Sequence, residues 1–204
     1  ASLTRASKSA PISAAGTTGT TGSVTAANSL VGTLANERVG TGGVYFPGNG
    51  TVVIASPTWS GSGANTGAAT FASMSSWPTG PVTSANSVIG PSPGAQFPSY
   101  VPAILPNGRV VLGSPFLDPD GLAEAGAFVV LDSAALPTGV LSLTGALVGN
   151  QSMDYLGFST TADFTVLPLP DNGFAVLSGF YNDGGTSMAG ALTYARGDGS
   201  PIGP

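Results

Sequence analysis

Apolar residues in this chain come in short runs, each closed off by Gly, Pro, Asn or Ser. The runs Val52-Val53-Ile54, Val110-Val111-Leu112 and Phe174-Ala175-Val176-Leu177 follow turn dipeptides at Asn49-Gly50, Asn107-Gly108 and Asn172-Gly173. β-Branched and aliphatic runs of this length, bounded by turn residues and led by Asn-Gly, predict strands entered through tight turns. A second set, Gly67-Ala68-Ala69-Thr70-Phe71, Gly126-Ala127-Phe128-Val129-Val130 and Gly190-Ala191-Leu192-Thr193-Tyr194, predicts a strand after each of the first. No stretch sustains a helical period with caps. The nearest, "DGLAEAGAFVVLDSAALPTG" at 120–139, is interrupted by Gly126 and by the Val129-Val130 pair. The pattern predicts an all-β protein.

The runs belong to a longer period. "GSVTAANSLVG" (22–32), "GPVTSANSVIG" (80–90) and "GVLSLTGALVG" (139–149) recur at steps of 58 and 59 residues, and the Asn-Gly turns at 58 and 65. "ANERVG" (35–40) and "SMDYLG" (152–157) align with a weaker "PGAQFP" (93–98) between them. Four signals in one order, three times, define copies at about 22–79, 80–138 and 139–204, with 1–21 as an N-terminal arm or linker rich in Gly and Thr. The 11-residue blocks are each read as one strand. Four short strands in a copy of about 58–65 residues match the size of a β-propeller blade.

The phase of the repeat leaves a mismatch. Blades opening at Val39, Phe97 and Leu156 run over 39–89 and 97–148, and the third lacks its fourth strand. The counterpart of that strand, 23–31, stands before the first blade. Ser23, Val24, Ala26, Asn28, Leu30 and Val31 are therefore the expected assembly residues, completing a blade within their own chain or in a neighbouring subunit. Three blades would each have to fill about 120°, against the roughly four to eight blades of known propellers, so pairing between subunits is favoured. It gives either a two-fold pair closing a ring or a head-to-tail filament.

The order Val39-Gly40 or Leu156-Gly157, then a turn, then a β run ending Ala55-Ser56-Pro57 or Gly113-Ser114-Pro115, then Gly-Ala-x-x-aromatic, resembles the FG-GAP repeat of integrin-alpha-type β-propellers and of large bacterial surface proteins. The resemblance spans about 22–204 and implies a blade fold. Many members of that family carry an Asp-rich calcium loop before the second strand. Here that place holds Pro47-Gly48-Asn49-Gly50, Pro106-Asn107-Gly108 and Pro170-Asp171-Asn172-Gly173, too poor in carboxylates for a calcium shell.

Composition narrows the chemistry. The 204 residues hold 42% apolar side chains, 31 Gly and 17 Pro, enough to build a core. With five scattered Lys or Arg against ten Asp or Glu and a net charge of −5, nucleic acid is not an expected partner. There is no Cys and no His, so thiolate chemistry and the commonest general base and metal ligand are missing. No cofactor and no enzymatic activity are expected. No apolar run reaches the ~20 residues of a membrane helix. The weakly charged, Thr/Gly/Asn-rich composition and the start at Ala1 fit a mature exported chain, hence an extracellular or cell-surface protein.

Three candidate sites remain. "DPDG" at 118–121 brings Asp118 and Asp120 near Glu124, a weak calcium candidate that a Pro-Asp-Gly turn explains equally. "ARGDGSP" at 195–201 contains Arg196-Gly197-Asp198, an adhesion tripeptide in a Gly-rich turn. Trp59 and Trp77, with Tyr45, Phe46, Tyr100, Phe116 and Tyr181, line a glycan-stacking surface or pack in the core. Glu37 and Asp154 hold equivalent positions in two copies, where an acid caps a turn or accepts backbone amides. The favoured function is a secreted structural or adhesive protein that self-assembles, its partner being itself; the alternative is a binding module for surface glycans or proteins.

Overall fold

The computed structural model describes residues 22–159 and 165–198. Along them run β1 (Leu30–Val31), β2 (Gly43–Tyr45), β3 (Thr51–Ser56), β4 (Ala68–Ser73), β5 (Gly80–Pro81), β6 (Val88–Ile89) and β7 (Ala103–Ile104). Then come β8 (Arg109–Ser114), β9 (Ala127–Asp132), β10 (Gly139–Val140), β11 (Leu147–Val148), β12 (Val166–Pro168), β13 (Phe174–Ser178) and β14 (Ala191–Ala195). Two 3-10 turns interrupt them, and no α-helix occurs among the described residues.

Each copy supplies three consecutive strands of one antiparallel sheet, the first two sheets take a fourth from the copy that follows, and β1 with β5 forms a further two-stranded sheet. The first runs β2-β3-β4-β6, with β10 added in parallel beyond β6; the second runs β7-β8-β9-β11; the third runs β12-β13-β14. The sheets open at turns where Gly50 (φ 82°) and Gly108 (φ 81°) take left-handed backbone, cheap for a residue without Cβ. In the third copy Asn172 (φ 65°) takes that conformation, one residue earlier than the Asn-Gly alignment predicts. The true step is therefore 64 residues, from Gly108 to Asn172. Side chains confirm the shift, since Asn107 Oδ1 accepts the Arg109 N–H (3.1 Å) and Asp171 Oδ1 accepts the Gly173 N–H (2.9 Å). Asn tolerates this conformation better than other side chains, which is why the slip is affordable.

Two cores join the sheets. In the first, Val53, Ala69, Phe71 and Val88 of the first sheet pack on Val110, Leu112, Ala127 and Val129 of the second. In the other, Val111 and Phe128 of the second sheet meet Val166, Phe174 and Val176 of the third. Strand β8 thus sends Val110 and Leu112 one way and Val111 the other, the period of two expected of a strand covered on both faces. The join is tight at Gly67 (φ 80°), where a Cβ would overlap the backbone N and O of Phe97.

The 11-residue blocks correct the prediction of single strands. Asn86 Oδ1 accepts the Thr83 N–H (2.9 Å) while its Nδ2 donates to Pro81 O (2.9 Å), folding the block into a turn between β5 and β6. Asn28 does the same with Thr25 N–H and Ser23 O. An amide side chain that satisfies its own neighbours' backbone competes with strand pairing. The second and third blocks become connectors with their ends in different ladders, and the first contributes its closing end alone: β1 pairs parallel with β5, and β6 with β10. Connectors also dock on one another, Gly80 N–H donating to Ala26 O and Ser29 O, and Gly139 N–H to Ser84 O and Ser87 O.

Phe128 is the main anchor of the second core, 1% exposed and stacked on Tyr100 at 5.3 Å between ring centroids. Phe128→Ala is expected to cost about 3–5 kcal/mol in denaturant unfolding. A loss under ~1 kcal/mol would mean that this joint does not hold the second sheet to the third.

Candidate assembly site

Each connector is fastened to the sheet that follows it. Glu37, 1% exposed, accepts the N–H groups of Thr33 and Leu34 on Oε2 and that of Ser60, beyond β3, on Oε1 (3.0 Å). Asp154, fully buried, accepts Asn150 and Gln151 N–H on Oδ2 (3.0 and 2.9 Å), and the Asn182 N–H and Nδ2 on Oδ1 (3.2 and 3.0 Å). A buried carboxylate without a cation is tolerated when this many donors converge on it. Gly40 N–H then donates to Ser56 Oγ (3.0 Å) and Gly157 N–H to Ser178 Oγ (2.9 Å).

The middle copy does the same job differently. Ala95 stands where the acids stand, and Pro98, which has no N–H, stands where Gly40 and Gly157 donate. Ser114 Oγ therefore turns to donate to Ala95 O (2.6 Å) and pairs with Ser99 Oγ (2.9 Å). This is the physical reason why "PGAQFP" aligns weakly.

The two ends of the described chain are each short of a neighbour. Strand β6 has antiparallel β4 on one side and parallel β10 on the other. Its equivalent β1 has only β5. Strands β4 and β9 carry β6 and β11, whereas β14 has only β13 among the described residues. Of the six predicted assembly residues, Leu30 and Val31 form β1, while Ser23, Val24, Ala26 and Asn28 lie in the connector turn. Val24 is 81% exposed, yet its counterparts Val82 and Leu141 are 2% and 6% exposed under neighbouring ladders.

The other candidates fall elsewhere. Asp118 Oδ1 accepts the Glu124 N–H (2.7 Å) around the 3-10 turn Pro119–Gly121, and Glu124 Oε2 accepts the Tyr155 hydroxyl (2.6 Å). Asp120 (φ 51°) and Gly121 (φ 80°) are both left-handed in that turn. Among the described residues no three His, Cys, Asp or Glu side chains gather to hold a metal ion. In Arg196-Gly197-Asp198 the two charged residues are exposed and Gly197 is buried. Gly197 packs on Asn172 O with no room for a Cβ, and Arg109 Nη1 donates to Asp198 O (2.8 Å). Trp59 is buried with Val82 and Ile89, Tyr100 is stacked in the second core, and Trp77 is 54% exposed. No described helix is long and apolar enough to cross a membrane.

A family model described as a repeat of unknown function, DUF5650, matches residues 13–41, 48–99 and 104–158. The chain belongs to this repeat family. No curated protein and no solved structure matches it. The three DUF5650 matches end at residues 41, 99 and 158, the same place in each copy, so the first match covers only the closing part of the unit. The second and third each hold two long strands, the connector and the "FG" element. Strands β13 and β14 lie outside the matches but occupy the opening part of a unit, with Ser178 and Gly190 where Ser56 and Gly67 stand. The sequence likeness to FG-GAP thus resolves to a repeat family without an assigned function.

Two predictions follow the carboxylates. Asp154→Ala leaves four donors of the joint unpaired and is expected to destabilise by about 3 kcal/mol or more in denaturant unfolding. The Asp171 carboxyl is held below its usual value by the Gly173 N–H and then by the Tyr194 hydroxyl. Its contribution is therefore complete above the ordinary carboxylate range and is lost as pH falls through the lower folded value. Asn fills this place at Asn49 and Asn107, so Asp171→Asn should keep the turn and remove that acid-side loss. Unfolding midpoints measured from about pH 5 down to 2 check this.

Proposed function

We propose that this chain is a secreted, non-enzymatic structural or adhesive protein whose subunits join by lending strand β1 to the free edge of β14 in a neighbour. The observation that carries the reading is a pair of complementary strands, each with one ladder partner among the described residues. Among the described residues β1 has only β5 beside it and β14 only β13, whereas their equivalents β6 and β4 each have a neighbour on both sides. An exposed sheet edge is a template for one more strand, and main-chain pairing supplies the affinity. The roles of Glu37 and Asp154 as acceptors for backbone N–H groups support a structural rather than catalytic use of the acids. The hydrogen bonds from Gly40 to Ser56 and from Gly157 to Ser178 link the two halves of the FG-GAP-like motif, which supports a blade-type reading of the sheets. The weakly charged, cysteine-free composition supports an extracellular setting.

A second reading, a binding module for a glycan or protein, has Trp77 behind it. This ring stands beside a groove of about 720 Å³ lined by Leu30, Val39, Val44 and Ile54. Hits on a glycan array that vanish with Trp77→Ala would favour it.

Self-assembly is tested by deleting residues 1–32. The whole chain is expected to form oligomers or fibres by light scattering and electron microscopy, and the deleted form to stay monomeric with unchanged β-type circular dichroism. Identical oligomers from both forms, or a monomeric whole chain at high concentration, would sink strand donation.

A further inference from the structure

We infer that the joint is a stacked interface in which the open apolar face of the third sheet seats in the Trp77 groove of a second copy, with Val31 opposite Ala191 and Leu30 opposite Leu192. This rests on the self-assembly reading and adds its surface and its register.

The register comes from the two joints the chain already makes. Ile89 lies opposite Ala68 and Val88 opposite Ala69; Val148 lies opposite Ala127 and Leu147 opposite Phe128. Both are closed by the next glycine, Gly90 N–H to Gly67 O and Gly149 N–H to Gly126 O, at 3.0 Å each. Gly190 opens the same segment in the third repeat and Gly32 closes the same segment in the first, so the Gly32 N–H of the groove-bearing copy reaches Gly190 O of the copy that lends its third sheet. Val24 then meets β11 of the other copy as Val82 meets Val31 and Leu141 meets Ile89, and loses its exposure.

The faces agree with that register. Ala69 and Phe71 point from the first sheet into the first core, and Phe128 from the second sheet into the other. Their counterparts on the third sheet, Leu192 and Tyr194, are 74% and 48% exposed, with Leu167 and Leu177 beside them. The receiving side repeats as well, because Leu30, Val39 and Ile54 stand where Val88, Phe97 and Leu112 close the first core. Volumes compensate across the joint. Val39 leaves room where Phe97 fills the space, and Leu192 is larger than the Ala69 it replaces. Protein interiors tolerate such exchanges when the summed volume is kept.

The chain has no cysteine, so a designed pair reports one contact only. In the whole chain carrying Val31→Cys and Ala191→Cys, oxidation is expected to give intermolecular disulfides, seen as a dimer or a ladder on a non-reducing gel. The two residues form a non-hydrogen-bonded antiparallel pair, where side chains approach closely enough for the bond. Either single variant should remain monomeric on the gel. Leu192→Asp, an exposed substitution that the isolated subunit tolerates, should weaken association roughly tenfold or more by analytical ultracentrifugation. Oligomers that form without the cross-link, or that ignore Leu192→Asp, would overturn this joint and leave self-assembly standing. A disulfide closed within one chain would overturn it too, and a strictly monomeric protein would overturn both.

Discussion

The first two sheets are each completed by a strand from the connector that follows, and the rest of the architecture depends on that pairing. A four-stranded sheet of two- to six-residue strands offers little area for its own core. Each sheet gains stability by borrowing. Strand β6 completes the first sheet on one edge and receives β10 from the next connector on the other. The apolar face of the same sheet is closed by residues of the second. Stability of this kind is carried by nearest-neighbour joints, as in other repeat proteins.

Since the joints carry the fold, their polar fastening has to be dependable, and the chain uses two chemistries for it. Where an acid follows the connector, a single carboxylate gathers three or four N–H groups from both sides of the joint. Where proline removes the N–H that the serine would otherwise receive, the serine hydroxyl itself becomes the donor. Fold equivalence here survives a change of residue type because what is kept is the satisfaction of buried donors and acceptors.

The long strands and the threefold repeat were legible in the sequence because their signals are local: β-branched runs, turn dipeptides and their spacing each live within a few residues. The connectors were misread for a physical reason. "GPVTSANSVIG" has strand-like ends, and only the side-chain bonds of Asn86 reveal the bend between them. The third turn was placed one residue late because Asn172 stands in for glycine and Asp171 for asparagine, substitutions that keep geometry and change letters. The backbone-accepting role of Glu37 and Asp154 was open to reading as a general expectation. Their partners Ser60 and Asn182, more than twenty residues away, were not. The exposure of Val24 against buried Val82 and Leu141 is invisible to any pattern, since all three positions are equally apolar.

The residues along the outer edge of β14 bear on whether it can take another strand. Soluble proteins that keep edge strands apart do so with lysines, prolines, bulges or a covering segment. Strand β14 reads Ala191-Leu192-Thr193-Tyr194-Ala195, pairs with β13 in unbroken register and carries neither charge nor proline. At the other end, β1 is equally uncharged and is presented by a connector whose turn is already formed by Asn28. A preformed donor strand has little conformational freedom left to lose on pairing, so a contact of only a few residues can be productive. An acceptor edge without charge, proline or a second ladder partner among the described residues, and a preorganised donor, spaced by whole repeats of one sequence, are the physical ground on which the self-assembly proposal stands.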